Sequence, residues 1–136
     1  MPREKTDIAD AYVAFLRGSS APLLALLAPD VLDHVSGRRG VGIWRAVEEW
    51  LSHSFAAVEV DLHAAAHDGD RVLVWLTLRA NHVGSAFPWM KGRAPSGRPI
   101  AWPQLHVFRV AGDQIVEHWA VRDDLRVLEA IDRAAD

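Results

Sequence analysis

The spacing of apolar residues changes once along this chain, at Phe55, and that change constrains the fold more than any other feature. Before it, apolar side chains recur at helical spacing: Ile8, Tyr12, Phe15 and Leu16, then Ile43, Trp44, Val47, Trp50 and Leu51. The pattern predicts a helix over 7–17 with Thr6 as N-cap and Gly18 as its stop, a short helix over 23–27 behind Pro22, and a third over 42–54. Residues 30–35 (DVLDHV) read as a short strand between them. After Phe55 the period is two, which predicts strands over 58–66, 72–81, 100–110 and 115–122. Turns at His67-Asp68-Gly69-Asp70 and Ala111-Gly112-Asp113 join them in pairs. Asp123 or Asp124 caps a last helix over 125–134. Helices followed by an antiparallel meander predict an α+β architecture, with helices packed on one face of the sheet.

Residues 83–99 (VGSAFPWMKGRAPSGRP) form a long connection without regular periodicity. Phe87, Pro88, Trp89 and Met90 argue against disorder. A flap over a cavity mouth and an edge packed against a partner subunit both fit.

Composition removes several function classes. The absence of cysteine excludes disulfide scaffolds, thiolate metal sites and cysteine nucleophiles. Fifteen basic and eighteen acidic side chains give a charge of −3 with no basic stripe, so no nucleic-acid partner is expected. The apolar run 21–29 is too short to cross a membrane, and MPREKTD opens no signal-peptide core; a cytoplasmic protein forming one domain over 1–136 is expected. Six tryptophans and seven histidines against one tyrosine suggest a ring-lined cavity for an organic ligand, or else an aromatic core with solvated histidines.

The strands carry a resemblance. Asp30-Val-Leu-Asp-His34, Asn81-His-Val-Gly84, Ala94-Pro-Ser-Gly-Arg98, Gln104-Leu-His-Val-Phe-Arg-Val110 and Gln114-Ile-Val-Glu-His-Trp119, in this order and spacing, resemble the SnoaL-like polyketide cyclases of the nuclear transport factor 2-like superfamily. The resemblance implies a cone in which a curved antiparallel sheet wraps helices around a hydrophobic pocket. It names a pocket rather than a reaction, because the superfamily includes cyclases, isomerases, dehydratases and epoxide hydrolases.

Strand alternation puts Trp102, Gln104, His106 and Phe108 on one face and Leu105, Val107 and Arg109 on the other. On the next strand His118, Ala120 and Arg122 oppose Ile115, Glu117, Trp119 and Val121. By resemblance, His106, Gln104 and His118 face the pocket, and the cyclases' acid/base aspartate falls at Ala120, whose methyl group cannot move a proton. A replacement carboxylate must then come from Asp33 or Asp123; the plainer role for Asp123 is helix cap. Asp33 and His34 lie on opposite faces, so only one reaches the pocket.

The expected catalytic set is His106, Asp33, His118 and Asp123, with His106 central as a group that exchanges protons near neutral pH. Gln104, Tyr12, His34, His82, Trp89, Trp102 and Arg122 are the expected substrate contacts. For Tyr12 the neighbour Phe15 is a competing occupant of the same position, and His82 is equally a structural residue. No His-x-x-x-His helix pair, carboxylate set or glycine-rich phosphate loop is present, so no metal or cofactor is expected. Leu73, Trp75, Leu105, Val107, Trp119 and Val121 make the outer sheet face apolar enough to predict a homodimer. Two functions remain: a cofactor-independent acid/base enzyme on a small hydrophobic, polyketide-like or polycyclic ligand, and a non-catalytic binding or accessory protein with the same pocket.

Overall fold

The computed structural model describes residues 5–133, and of residues 5 and 6 it describes the backbone alone. Two helices, α1 (Lys5–Leu16) and α2 (Ala21–Leu26), lead into strand β1 (Leu27–Asp33), the short β2 (Arg38–Arg39) and helix α3 (Gly42–Ser54). The long strands β3 (Phe55–Asp68), β4 (Arg71–His82), β5 (Pro99–Ala111) and β6 (Gln114–Arg122) follow, then helix α4 (Asp124–Asp132). Thr6 falls inside α1 rather than at its cap, and its side chain lies outside the described residues.

Six strands form one open sheet in the order β2-β1-β6-β5-β4-β3. The meander β3 to β6 is antiparallel, as the alternation predicts, but β1 lies parallel to β6, so the whole sheet is mixed. That parallel pairing sets Asp33 opposite His118. β3 curves through two register shifts, one of which leaves Ala57 at φ 53°; bulges of this kind bend a strand and let a sheet wrap.

The inward faces follow strand parity. Val72, Val74, Leu76, Leu78 and Ala80 on β4 are buried, as are Trp102, Gln104, His106 and Phe108 on β5. Ile8, Tyr12 and Phe15 of α1 and Ile43, Trp44 and Leu51 of α3 close over them. Burying one such large apolar side chain stabilises by about 1.5–3 kcal/mol, so this face holds the helices to the sheet. Ile115 departs from expectation: it is buried rather than on the outer face, because a register shift between Arg109 and Val110 reverses parity at the start of β6. Among the described residues no helix is long and apolar enough to cross a membrane.

Residues 83–98 cross the open end of the cone. Ser54, fully buried at the end of α3, accepts the Val83 and Gly84 N–H groups on its carbonyl and the Ala86 N–H on its hydroxyl. Phe87 and Met90 bury their side chains beneath a short 3-10 turn, Pro88–Met90.

Candidate active site

Three strands bring four polar side chains into a single hydrogen-bonded row. Asp33 Oδ1, at the end of β1, lies 2.8 Å from His118 Nδ1. His118 Nε2 lies 2.8 Å from His106 Nδ1, and His106 Nε2 lies 2.7 Å from Gln104 Oε1. All four are buried. His118 and His106 face inward on neighbouring strands, and their rings lie 5.1 Å apart, nearly parallel. Tyr12 covers the far side, its ring 4.2 Å from that of His106. The edge of Trp44 meets His118 at 4.7 Å.

Both imidazoles resist protonation. Burial holds His106 well below the usual histidine range, and the neighbouring His118 and Arg122 push the same way. Burial also lowers His118, against the opposing pull of the Asp33 carboxylate. For Asp33, burial alone would raise the carboxyl, but hydrogen bonds from His118 and Ser36 outweigh it and hold it below its ordinary value. The Ser36 hydroxyl donates to Oδ2 at 2.7 Å and its N–H at 3.1 Å. Burial raises Tyr12, so its phenol keeps its proton.

With Asp33 ionised and His106 neutral, donor and acceptor matching allows the row two fillings. In the first, Asp33 accepts from His118 Nδ1–H, His118 Nε2 accepts from His106 Nδ1–H, and Gln104 turns its NH2 toward the bare His106 Nε2. In the second, one more proton makes His118 an imidazolium against Asp33; His106 then accepts from it and donates its Nε2–H to the Gln104 carbonyl. The Gln104 oxygen faces His106, the orientation of the second filling. One added proton and the turn of one amide interconvert the two.

Asp33, His118 and His106 of this row border an inner cavity of about 40 Å³, walled also by Ile43, Trp44, Val47, Ala120 and Arg122, while Gln104, bonded to His106, lies outside the lining. Ala120 pairs with His106 across β5 and β6 and presents a methyl group there. A second hollow of about 410 Å³ shares the walls Asp33, Val35, Ile43, Val47 and Arg122, and opens between Arg38, Trp50 and the Phe87-Pro88-Trp89 stretch. The outer hollow has the size of a small-molecule site, whereas the inner one admits only a functional group. Arg122 lies 5.3 Å over the Trp102 ring and 3.6 Å from Asp124. Among the described residues, no group of three or more histidine and carboxylate side chains is arranged to hold a metal ion.

Of the residues expected from sequence, the structure brings together Asp33, His118, His106, Gln104, Tyr12 and Arg122, with Trp89 at the mouth. Four lie elsewhere. His34 points to the outer face, where Nε2 meets Glu117 at 2.7 Å and the ring stacks on Trp119, because strand parity sends it opposite to Asp33. Asp123 caps α4 by accepting the Arg126 N–H, which occupies its carboxylate outside the cavity. Trp102 is packed among Phe55, Phe87 and Trp89, with its indole N–H donated to Asp124, so it is core rather than cavity wall. His82 is buried, and it bridges Ser85 and Ser96 from its two nitrogens to fasten the crossing segment. Sequence spacing assigns Trp44 and Trp50 to the core and passes over Arg38; helical periodicity identifies an apolar face but not whether that face is filled or hollow.

Residues 6–131 match the family model described as SnoaL-like polyketide cyclase. Solved structures show the same fold at low identity. TsrD from Streptomyces laurentii aligns with 20% identity and a TM-score of 0.79, covering 93% of each chain. AclR from Streptomyces galilaeus, named as a candidate hydroxylase, gives 20% and 0.79 over 96% of this chain and 97% of its own. IdmH from Streptomyces antibioticus, named as a candidate polyketide cyclase, gives 24% and 0.73 over 96% and 100%. No curated protein matches the chain significantly.

Proposed function

Since the chain belongs to the SnoaL-like polyketide cyclase family, we propose that it is a cofactor-independent acid/base enzyme acting on a small hydrophobic, polyketide-like or polycyclic carbonyl compound. Its reaction class is cyclisation, isomerisation or dehydration. The row Asp33–His118–His106–Gln104, whose first three members stand in the cavity wall, is the observation that carries this reading.

Every ring nitrogen in the row is engaged, so a substrate reaches it by displacing Gln104 from His106 Nε2. A proton beside the substrate carbonyl then passes to His106 Nε2. His106 hands its Nδ1 proton to His118 Nε2, and the resulting imidazolium rests against the Asp33 carboxylate. The electron pair left on the substrate becomes an enolate, whose oxygen takes hydrogen bonds from the Tyr12 phenol or Arg122, both in the cavity wall. Return of the proton to another atom completes an isomerisation or assists loss of water. Ala120 leaves no carboxylate at the position where the resemblance expects one, and Asp33, acting through His118, takes its place. The apolar outer face, with Trp75, Leu105 and Val121 exposed, joins two copies of the chain in this reading.

Exchange of the α-protons of 2-tetralone into D2O, followed by proton NMR, tests the chemistry without knowledge of the natural substrate. The protein is expected to accelerate exchange, and His106→Ala to lower the rate at least about a hundredfold, the scale of a lost acid/base group. A His106→Ala protein that keeps its rate removes the mechanism. Ala120 also favours a second reading, a binding protein without chemistry; 2-tetralone bound with no acceleration of exchange decides for that one.

A further inference from the structure

The two hollows are supplied with hydrogen-bond donors and nearly devoid of free acceptors. Asp33 is the one carboxylate among their walls, and both its oxygens are taken, Oδ1 by His118 and Oδ2 by Ser36. Trp44 is 4% exposed, and its indole N–H has no partner among the described residues. Trp89, which lines the mouth, likewise buries its indole N–H without a partner among the described residues. Arg122 borders both hollows with only the 3.6 Å approach of Asp124 to balance it. Arg38, at the rim, makes no ion pair among the described residues.

A buried N–H without an acceptor costs about 1–3 kcal/mol, a cost that a ligand oxygen would remove. A hydrocarbon would leave both indoles unpaired, and an ammonium would meet two guanidiniums. We infer that the ligand of this pocket is an organic acid: a flat apolar body against the touching rings of Trp50 and Phe87, a carboxylate against Arg38, Arg122 and the Trp89 N–H, and a second oxygen reaching inward to the Trp44 N–H. The volumes fit this division, about 410 Å³ for the body and about 40 Å³ for the inner oxygen. The inference rests on the reading of this pocket as the substrate site and narrows it to acids.

Calorimetric titration with 2-naphthoate and with 2-naphthamide, which has the same rings and nearly the same size without the charge, tests it. The protein is expected to bind naphthoate at least about tenfold more tightly, the scale of one hydrogen bond to a charged group. Arg38→Gln is expected to remove most of that preference by weakening naphthoate far more than naphthamide, and Trp89→Phe to weaken naphthoate. Thermal melting of each variant checks that it is folded. Equal affinity for acid and amide, or a preference that survives Arg38→Gln, overturns the inference while the pocket reading stands. Failure to bind either compound overturns both.

Discussion

Replacing Asp33 by Asn keeps the shape of the side chain and removes its charge, and the hydrogen-bond row dictates the response. The carboxylate accepts on both oxygens, from His118 on one side and from the Ser36 hydroxyl and N–H on the other. An amide has one acceptor. If its oxygen serves Ser36, its NH2 must face His118 and donate. His118 then carries its proton on Nε2 rather than Nδ1, His106 carries its own on Nε2, and the Gln104 carbonyl accepts the last proton. The row stays satisfied but neutral, and no anion remains to receive an imidazolium. Losing the charged acceptor costs about 1–3 kcal/mol. With an unfolding entropy of roughly 2.1 cal/mol/K per residue, a chain of this length loses about 3.5 °C for each kcal/mol, so the melting temperature falls by ~4–10 °C. Nitrogen-15 NMR of the imidazoles is expected to show the His118 proton moved from Nδ1 to Nε2. Exchange of 2-tetralone is expected to slow by on the order of 10²–10⁴, the range of acid/base assistance. An Asp33→Asn protein with the wild-type His118 tautomer and rate would refute the argument.

The packing sets three more expected outcomes. Burial depresses His82, His106 and His118 in the folded chain, so the unfolded chain binds more protons; their contribution is full above the ordinary histidine value of about 6.5 and is lost as pH falls below it. Urea midpoints are expected to drop between pH 7.5 and 5.5, by less in His82→Gln, and an equal drop in both proteins counts against His82. Gly84→Ala places a methyl group against the His53 carbonyl, where backbone must move; a loss of about 1–3 kcal/mol is expected in urea unfolding, and an unchanged midpoint would show the segment to be loose. Sedimentation at micromolar concentration is expected to give a dimer that Val121→Asp separates, since Val121 is 75% exposed on the apolar outer face; a strict monomer ends that proposal.

How much of this is visible in the sequence depends on the range of the interaction. Parity along β5 places Gln104, His106 and Phe108 together because that strand pairs with β4 without interruption. The same rule misplaces Ile115, since the shift beside Val110 is a property of two strands at once. Strand alternation leaves Asp33 and His34 as alternatives, and the pairing of β1 with β6, which no local pattern encodes, selects Asp33. The tryptophans divide similarly. Spacing assigns Trp44 and Trp50 to the inner face of α3 but cannot say that the space beyond them is open, and Trp102 reads as a cavity ring until Phe55, Phe87 and Trp89 are seen to enclose it.

The parallel docking of β1 on β6 also has a kinetic meaning. Asp33 and His118 are 85 positions apart, so their contact closes a loop holding most of the protein. Helices and hairpins can form from neighbouring residues, but this contact spans the whole meander, and contacts of such long sequence separation slow folding. During synthesis β1 emerges long before its partner exists. No partial fold lacking β6 holds the proton row, so an intact row reports that the chain has finished folding.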